Sequence, residues 1–127
     1  MPRHRRGWAM RVAQSNESQH SPITVSILEP ALLILLKEQP RHGYTLLSDL
    51  GDLGMNTLHP SVVYRTLREM EELEWIQAEW DTHQTQGPPR KTYRLTIQGD
   101  AALRNWRIEL EKTRALISAL LQRIENE

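Results

Sequence analysis

Residues 60–96 read PSVVYRTLREMEELEWIQAEWDTHQTQGPPRKTYRLT, and the hydrophobic period changes within them. In the first part, apolar side chains recur every three or four residues: Val63, Leu67, Met70 and Leu73. This spacing predicts an amphipathic helix that begins near Pro60 and turns these side chains toward a core. From residue 75 the period is two, because Ile76, Ala78 and Trp80 alternate with polar residues, which predicts a half-buried strand.

A second strand is predicted a few residues later. Within residues 90–96 every second side chain falls on the same face of an extended chain, which groups Lys91, Tyr93 and Leu95. Residues 82–89, between the two strands, are rich in Gly, Pro and polar side chains. Two short alternating runs joined by such a loop predict an antiparallel hairpin.

Two helices are predicted before this stretch. The first lies within SILEPALLILLKEQP, where Ser26 and Glu29 have the spacing of a capping box and Pro30 fits the first turn. Apolar residues cover nearly every side of this helix, so we expect it at the centre of the core. The second covers about residues 42–53, and Gly54 is its expected C-cap.

A long helix is predicted over about residues 97–124. Its apolar positions follow the alternating three- and four-residue spacing of a heptad seam, with Thr113 the one polar member. Such a seam either folds back on its own domain or pairs with the same helix of a second chain. The narrow seam and the small chain favour pairing, so we expect a homodimer. The side chains expected at its interface are Leu103, Trp106, Leu110, Ile117 and Leu120.

The composition of the 127 residues excludes several classes of protein. Lys and Arg number 16 and Asp and Glu number 16, so the chain lacks the overall basic charge of the simplest nucleic-acid binders. Local basic patches are still allowed. There is no Cys, which excludes disulfides, thiol catalysis and thiolate metal sites. The longest apolar run covers residues 31–36, far short of the about 20 residues of a membrane-spanning helix, so no membrane partner is expected.

The sequence carries no motif of an enzyme. No two of its His residues have the close spacing of a metal-binding pair on a helix. A P-loop, a nucleophile elbow and a dinucleotide fingerprint are all missing from the sequence. We therefore expect no catalytic residue, no metal site and no cofactor.

The first 25 residues differ in composition from the remainder. They hold four arginines (Arg3, Arg5, Arg6 and Arg11) against Glu17 alone, followed by a run of Gln, Ser and Asn. We interpret residues 1–25 as a flexible basic N-terminal arm. A plain disordered tail, an arm that touches DNA and a transit peptide are the alternatives for it.

Three helices followed by a two-stranded hairpin is the order of a winged helix-turn-helix domain. The predicted fold class is mainly α with a small β-hairpin, completed by a long C-terminal dimerisation helix. The expected domains are the arm over residues 1–25, the winged domain over 26–96 and the dimerisation helix over 97–127. In such folds the third helix lies in the major groove of DNA and the hairpin acts as a wing.

Three segments carry a more specific resemblance: PRHGYTLLSDL at 40–50, SVVYRTLREMEELEWI at 61–76 and GPPRKTYRLTIQGDAALRNW at 87–106. In this order and spacing they resemble the PadR family of bacterial transcriptional regulators. The resemblance implies a dimer built on the last helix, and a Tyr64 that faces DNA with its neighbours. His59, Ser61 and Glu74 depart from the family pattern, which usually has a small capping residue before Pro60 and Gly at the other two positions. Base preference therefore cannot be carried over, and a left-handed backbone at Glu74 would cost about 1 kcal/mol.

The residues expected to contact DNA lie on the third helix and at the base of the wing. They are Ser61, Tyr64, Arg65, Arg68, Arg90 and Lys91. Arginines and lysines bind phosphates, and Arg65 has the side chain suited to a bidentate contact with guanine. The alternative is that Arg65 and Arg68 pair with Glu69 and Glu72 on a solvated helix face.

The predicted function is that of a sequence-specific regulator of transcription that binds double-stranded DNA. It would bind a palindromic promoter site as a homodimer, act as a repressor, and lie in the cytoplasm on the nucleoid. The alternatives are a winged helix that binds protein instead of DNA, and a purely structural dimerisation module. Tyr44 and Tyr93 are expected in packing roles. Trp106 either packs or stacks on a small aromatic effector, of the kind that some PadR relatives bind.

Overall fold

The computed structural model describes residues 22–81, 87 and 89–126. The helices are α1 (Pro22–Ser26), α2 (Leu28–Glu38), α3 (Gly43–Asp52), α4 (Pro60–Glu72) and α5 (Ile97–Glu125). The strands are β1 (Arg41–His42), β2 (Ile76–Trp80) and β3 (Lys91–Leu95). The predicted class is confirmed, since three main helices precede a hairpin and a long helix follows it.

The N-terminal part of the chain is described only in its last few residues. Residues 1–21, which include most of the predicted arm, lie outside the described residues. Residues 22–25 belong to α1, and the Val25 side chain packs against the core. The apolar Val25 and Ile27 explain why this part of the chain joins the folded domain.

The sheet has three antiparallel strands in the order β1-β3-β2, whereas the sequence predicts two. Tyr93 at the centre of β3 lies opposite Ala78 on one side and Arg41 on the other. Arg41 and His42 form a strand of only two residues, which is too short to show an alternating pattern. This strand ties the wing to the start of α3.

Helix α2 is central, as the sequence predicts. Leu32 and Leu33 are completely buried, and α2 contacts α3, α4, α5 and β3. The predicted inner face of α4 is confirmed for Val63, Leu67 and Met70, none of which is exposed. Burial of such side chains stabilises the fold by about 1.5–3 kcal/mol each. For Leu73 the prediction is wrong, because the helix ends at Glu72 and the Leu73 side chain at its C-cap is 52% exposed.

The helix caps differ in part from the predicted ones. The capping box is wrong, because the Ser26 hydroxyl donates to the Ile23 carbonyl at 2.7 Å and no side chain caps α2. Ser26 is the last residue of α1, and its hydroxyl bonds back within that helix instead of capping α2. The Thr96 side chain caps α5, where its Oγ1 accepts the Gly99 N–H at 3.0 Å.

The turn from α4 into β2 contains a strained residue. Glu74 has a φ of 62°, in the left-handed region, so the expected backbone at this departure from the family pattern is confirmed. A residue other than glycine there costs about 1 kcal/mol. The Glu74 carbonyl accepts a hydrogen bond from Thr96 Oγ1 at 2.6 Å, which joins the turn to the start of α5.

Among the described residues, helix α5 contacts the winged domain through its first turns. The Lys37 ammonium of α2 forms an ion pair with Asp100, with 2.6 Å between Nζ and Oδ1. The Leu103 and Trp106 side chains of α5 pack against the core. Every residue from 111 to 126 is exposed. The described residues include no helix long and apolar enough to cross a membrane.

Candidate nucleic-acid interface

The exposed side of α4 presents two arginines with no ionic partner. Arg65 and Arg68 are exposed, and within the described parts of the chain no carboxylate forms an ion pair with either. The alternative pairs with Glu69 and Glu72 are therefore not formed. Two guanidinium groups with free N–H donors stand on the outer face of the helix.

The start of α4 is organised by a histidine. His59 Nδ1 accepts the backbone N–H of Ser61 at 3.1 Å and lies 2.8 Å from the Ser61 hydroxyl. The imidazole thus supplies the cap that Ser, Thr, Asp or Asn more often supplies. Pro60 occupies the first helical position, where the missing N–H costs nothing. Ser61 is exposed, and its hydroxyl is engaged with this cap.

Tyr64 lies against the beginning of α3. A Cβ added to Gly43 would come within 2.8 Å of the Tyr64 ring, so the ring packs closely against the backbone of Gly43. The tyrosine is partly exposed on its outer side. It therefore joins α4 to α3 and also reaches the outer face.

Tyr44 links the start of α3 to the wing. Its ring stacks on His42, with 5.3 Å between the centroids and 8° between the planes. The Arg90 guanidinium lies 5.3 Å from the ring centroid and donates from Nη1 to the Tyr44 hydroxyl at 3.2 Å. Tyr44 is 53% exposed, so it is not the core residue that the sequence reasoning allowed, although it does bridge two elements.

Lys91 is held between the wing and α4. Its ammonium is 3.6 Å from Glu71 and lies over the Trp80 ring at 5.3 Å. The predicted inward position of Trp80 is wrong, because this side chain is 58% exposed at the end of β2, beyond the cover of the helices. The charge of Lys91 is thus partly balanced within the chain.

Tyr93, in contrast, is the core residue that the sequence predicts. Burial raises the pKa of its hydroxyl, and the charge of Glu71 raises it further. The Tyr93 hydroxyl therefore remains protonated beside Lys91. The buried ring packs beneath the base of the wing.

Four of the six predicted DNA-contact residues line one groove between α4 and the wing: Tyr64, Arg68, Arg90 and Lys91. The groove has a volume of about 560 Å³, and His42, Tyr44 and Trp80 also line it. Ser61 and Arg65 lie on α4 outside this groove. Tyr44, which the sequence analysis assigns to a packing role, thus borders the same groove as the predicted DNA-contact residues.

The five predicted interface residues of α5 fall into two groups. Leu103 and Trp106 are partly buried against the core of their own domain, and Leu110 borders a groove shared with Ile34 of α2. Ile117 is 43% exposed and Leu120 is 53% exposed on the free half of the helix.

Trp106 also interacts with an acidic side chain of α2. Burial raises the pKa of Glu29, the charge of Glu69 raises it further, and a hydrogen bond from Trp106 opposes them. The Trp106 side chain is also partly buried against the core, which favours a packing role.

The described residues contain no cluster of His, Asp and Glu that could hold a metal ion. What the geometry offers instead is a surface of exposed guanidinium groups and aromatic rings, shared by a helix and a hairpin. Such a surface suits a polyanion with flat bases.

Comparison with known proteins agrees with the fold. Residues 32–105, more than half of the chain, match the Transcriptional regulator PadR-like family. No curated protein matches the chain in sequence.

Several solved structures are similar to the chain over most of its length. A PadR family transcriptional regulator from Eggerthella lenta is 29% identical with a TM-score of 0.65, over 78% of this chain and 81% of that one. A conserved protein of unknown function, described as a potential transcriptional factor, is 36% identical with a TM-score of 0.64, over 78% and 88%.

A putative transcriptional regulator from Thermoplasma acidophilum shares the fold, with 24% identity and a TM-score of 0.70 over 79% of this chain and 95% of that one. The matching family is one of transcriptional regulators and not of enzymes. The family match over residues 32–105, on a winged domain with a long last helix, shows that the chain belongs to the PadR-like family of transcriptional regulators.

Proposed function

We propose that this protein binds a palindromic promoter site in double-stranded DNA as a homodimer and represses transcription there. The observation that carries the proposal is the pair of unpartnered arginines on α4 beside a wing that presents Arg90. Because no described carboxylate pairs with either guanidinium group, their N–H donors are available to phosphate oxygens and base edges.

The two arginines divide the work of recognition. Arg65 lies nearer the start of α4, the end that enters the major groove in helix-turn-helix proteins, and suits a bidentate contact with guanine O6 and N7. Arg68 lies one turn later and borders the groove toward the wing, so it suits a backbone phosphate. The Glu residues of α4 begin at Glu69, which keeps its later half away from the DNA.

The free half of α5 supports the homodimer. Ile117, Leu120 and Ile124 are exposed along one seam, and within one chain no described element covers them. A second copy of the same helix supplies a matching apolar seam. The dimer would set two α4 helices about 34 Å apart, the spacing of half-sites one DNA turn apart.

The proposed mechanism is steric. A dimer on a site that overlaps a promoter blocks the polymerase, and the protein acts on the nucleoid in the cytoplasm. A signal that changes the angle between the two wings would weaken binding, because α5 connects them. A small aromatic effector is one form that such a signal takes among PadR relatives.

The test is an in-vitro selection from random duplex DNA with the full chain. The expected result is enrichment of a two-fold symmetric site with half-sites about 10 bp apart. An Arg65→Ala, Arg68→Ala variant should lose the enrichment. Arg94→Ala is the matched control, since Arg94 is an exposed wing arginine that borders a different groove, and it should keep the site.

The opposite result is also informative. If the folded, dimeric protein enriches no sequence at low salt, the proposal is wrong and the protein is a winged helix that binds another protein. The acidic second half of α4 would then be the first surface to examine for that partner.

A further inference from the structure

We infer that Tyr44 and Arg90 together form a site for one phosphate of the DNA backbone, at the junction of α3 and the wing. The inference rests on the proposed DNA binding and adds Tyr44, which lies outside both α4 and the wing. Tyr44 was expected to pack, and its exposure is the first sign of another role.

The hydrogen bond between the two side chains leaves suitable donors free. Arg90 donates Nη1–H to the Tyr44 oxygen at 3.2 Å, so the oxygen acts as the acceptor. The hydroxyl hydrogen of Tyr44 is then available, and so are the other N–H groups of a guanidinium that carries five. One O–H and a positively charged fork side by side match the two exposed oxygens of a phosphodiester.

The pair is held in place before any DNA arrives. His42 stacks on one face of the Tyr44 ring, which limits its rotation. The Arg90 carbonyl accepts the Asp81 N–H at 2.7 Å, which fixes the backbone where the wing begins. Little side-chain entropy remains to be lost on binding, and this favours a defined contact.

The pair also lies where the backbone of a bound duplex would pass. Tyr44 and Arg90 line the same groove as Tyr64 and Arg68 of α4. If α4 enters the major groove, the strand that borders that groove runs between α4 and the wing. The site contacts the backbone and no base edge, so its contribution is independent of sequence.

The test measures the affinity of the full chain for its selected site and for an unrelated duplex, each over a range of salt concentrations. Tyr44→Phe keeps the ring, its stack on His42 and its place beneath Arg90, and removes only the hydroxyl. We expect binding to both duplexes to weaken by about fivefold, with the ratio of the two affinities unchanged.

Arg90→Gln tests the charged half of the site. It should weaken both duplexes more strongly and reduce the slope of log affinity against log salt by about 0.9, the value for one phosphate. The double variant should lose less than the product of the two single losses, because each side chain positions the other. Arg94→Gln, the same change at a residue of β3 that borders a different groove, should leave affinity and slope as they are.

Three results would overturn the inference. Wild-type affinity of Tyr44→Phe for both duplexes would show that the hydroxyl touches nothing. A loss confined to the selected site would show a contact with a base. Failure of the unaltered protein to bind any duplex would overturn the proposed function as well, whereas the first two results leave it standing.

Discussion

The winged domain and the free half of α5 satisfy their apolar side chains in different ways. In the winged domain Leu32, Leu33 and Leu67 are fully buried by elements of the same chain. In the free half of α5, Leu116, Leu120 and Ile124 are each at least half exposed. The core of the winged domain is completed by elements of the same chain. The free half of α5 has an apolar face that no described element covers, and a helix of this kind is only marginally stable in water by itself. We therefore expect α5 to be completed by a second molecule, the partner chain of the proposed homodimer.

The largest effect is expected for Leu120→Glu, which places a charge on the exposed apolar face of α5. In a two-fold symmetric dimer both copies lose a buried leucine worth about 2 kcal/mol, so the dissociation constant should rise about a thousandfold. Sedimentation velocity measures this. Ile108→Glu is the matched control, because Ile108 is 54% exposed on the same helix but lies off the seam, and it should remain dimeric. Equal weakening by both variants would place the interface elsewhere.

A smaller effect is expected within the complete region. Glu74→Gly removes the strain of a left-handed residue and should raise the free energy of unfolding by about 1 kcal/mol, measured by urea denaturation. Glu72→Gly is the control with the opposite sign, since residue 72 is the last of α4 and glycine weakens a helix. A loss of stability in both variants would contradict the proposed strain.

The smallest expected effect is a pH dependence of the Tm. It has opposite signs for Glu29 in the winged domain and for Asp100 at the joint with α5. Burial and the Glu69 charge raise the pKa of Glu29 in the winged domain, against a hydrogen bond from Trp106. Because folding raises the pKa of this carboxyl, its contribution to stability is present at pH values below the ordinary Glu pKa. The contribution is lost as the pH rises through the pKa of the folded state. Glu29→Gln should therefore raise the Tm at neutral pH, with the gain vanishing in acid.

Asp100, at the joint with α5, should behave in the opposite way. A hydrogen bond from Lys37 lowers its pKa, as do the charges of Lys37 and Arg104, while desolvation opposes them. The contribution of Asp100 to stability is therefore present at pH values above the ordinary Asp pKa, and it is lost as the pH falls through the pKa of the folded state. Asp100→Asn should lower the Tm at neutral pH and match the wild type in acid. Tm profiles of the same sign for both variants would contradict this assignment.

The elements with a long periodic pattern were predictable from the sequence. Helix α4 and its buried face follow from Val63, Leu67 and Met70, and the paired strands follow from the alternation around Tyr93. The left-handed residue at Glu74 was predictable as well, but only from a resemblance to a family that has glycine there. Local pattern suffices when an element is long enough to repeat it.

What the sequence could not show depends on contacts between distant residues. Strand β1 is two residues long and exists because Arg41 pairs with Tyr93 across the sheet. Lys91 reaches Glu71, and Arg90 reaches Tyr44, over separations that no periodicity encodes. Ser26 is a local exception: it has the right spacing for a cap, but its hydroxyl bonds to the Ile23 carbonyl within α1, and spacing alone does not decide between these two partners. Local spacing proposes such partners, and tertiary structure decides between them.

The contact between Tyr64 and the bare backbone of Gly43 limits how this protein can be re-engineered. The outer residues of α4 are the natural place to change operator choice, and transplanting the whole helix from a relative is the obvious shortcut. A Cβ at position 43 would come within 2.8 Å of the Tyr64 ring, so the ring would have to move outward to admit it. A transplanted α4 that keeps a tyrosine at position 64 therefore keeps the position of this ring only while residue 43 stays glycine. Residue 43 of α3 is thus a second place from which the outer face of α4 can be altered, without any change in α4 itself.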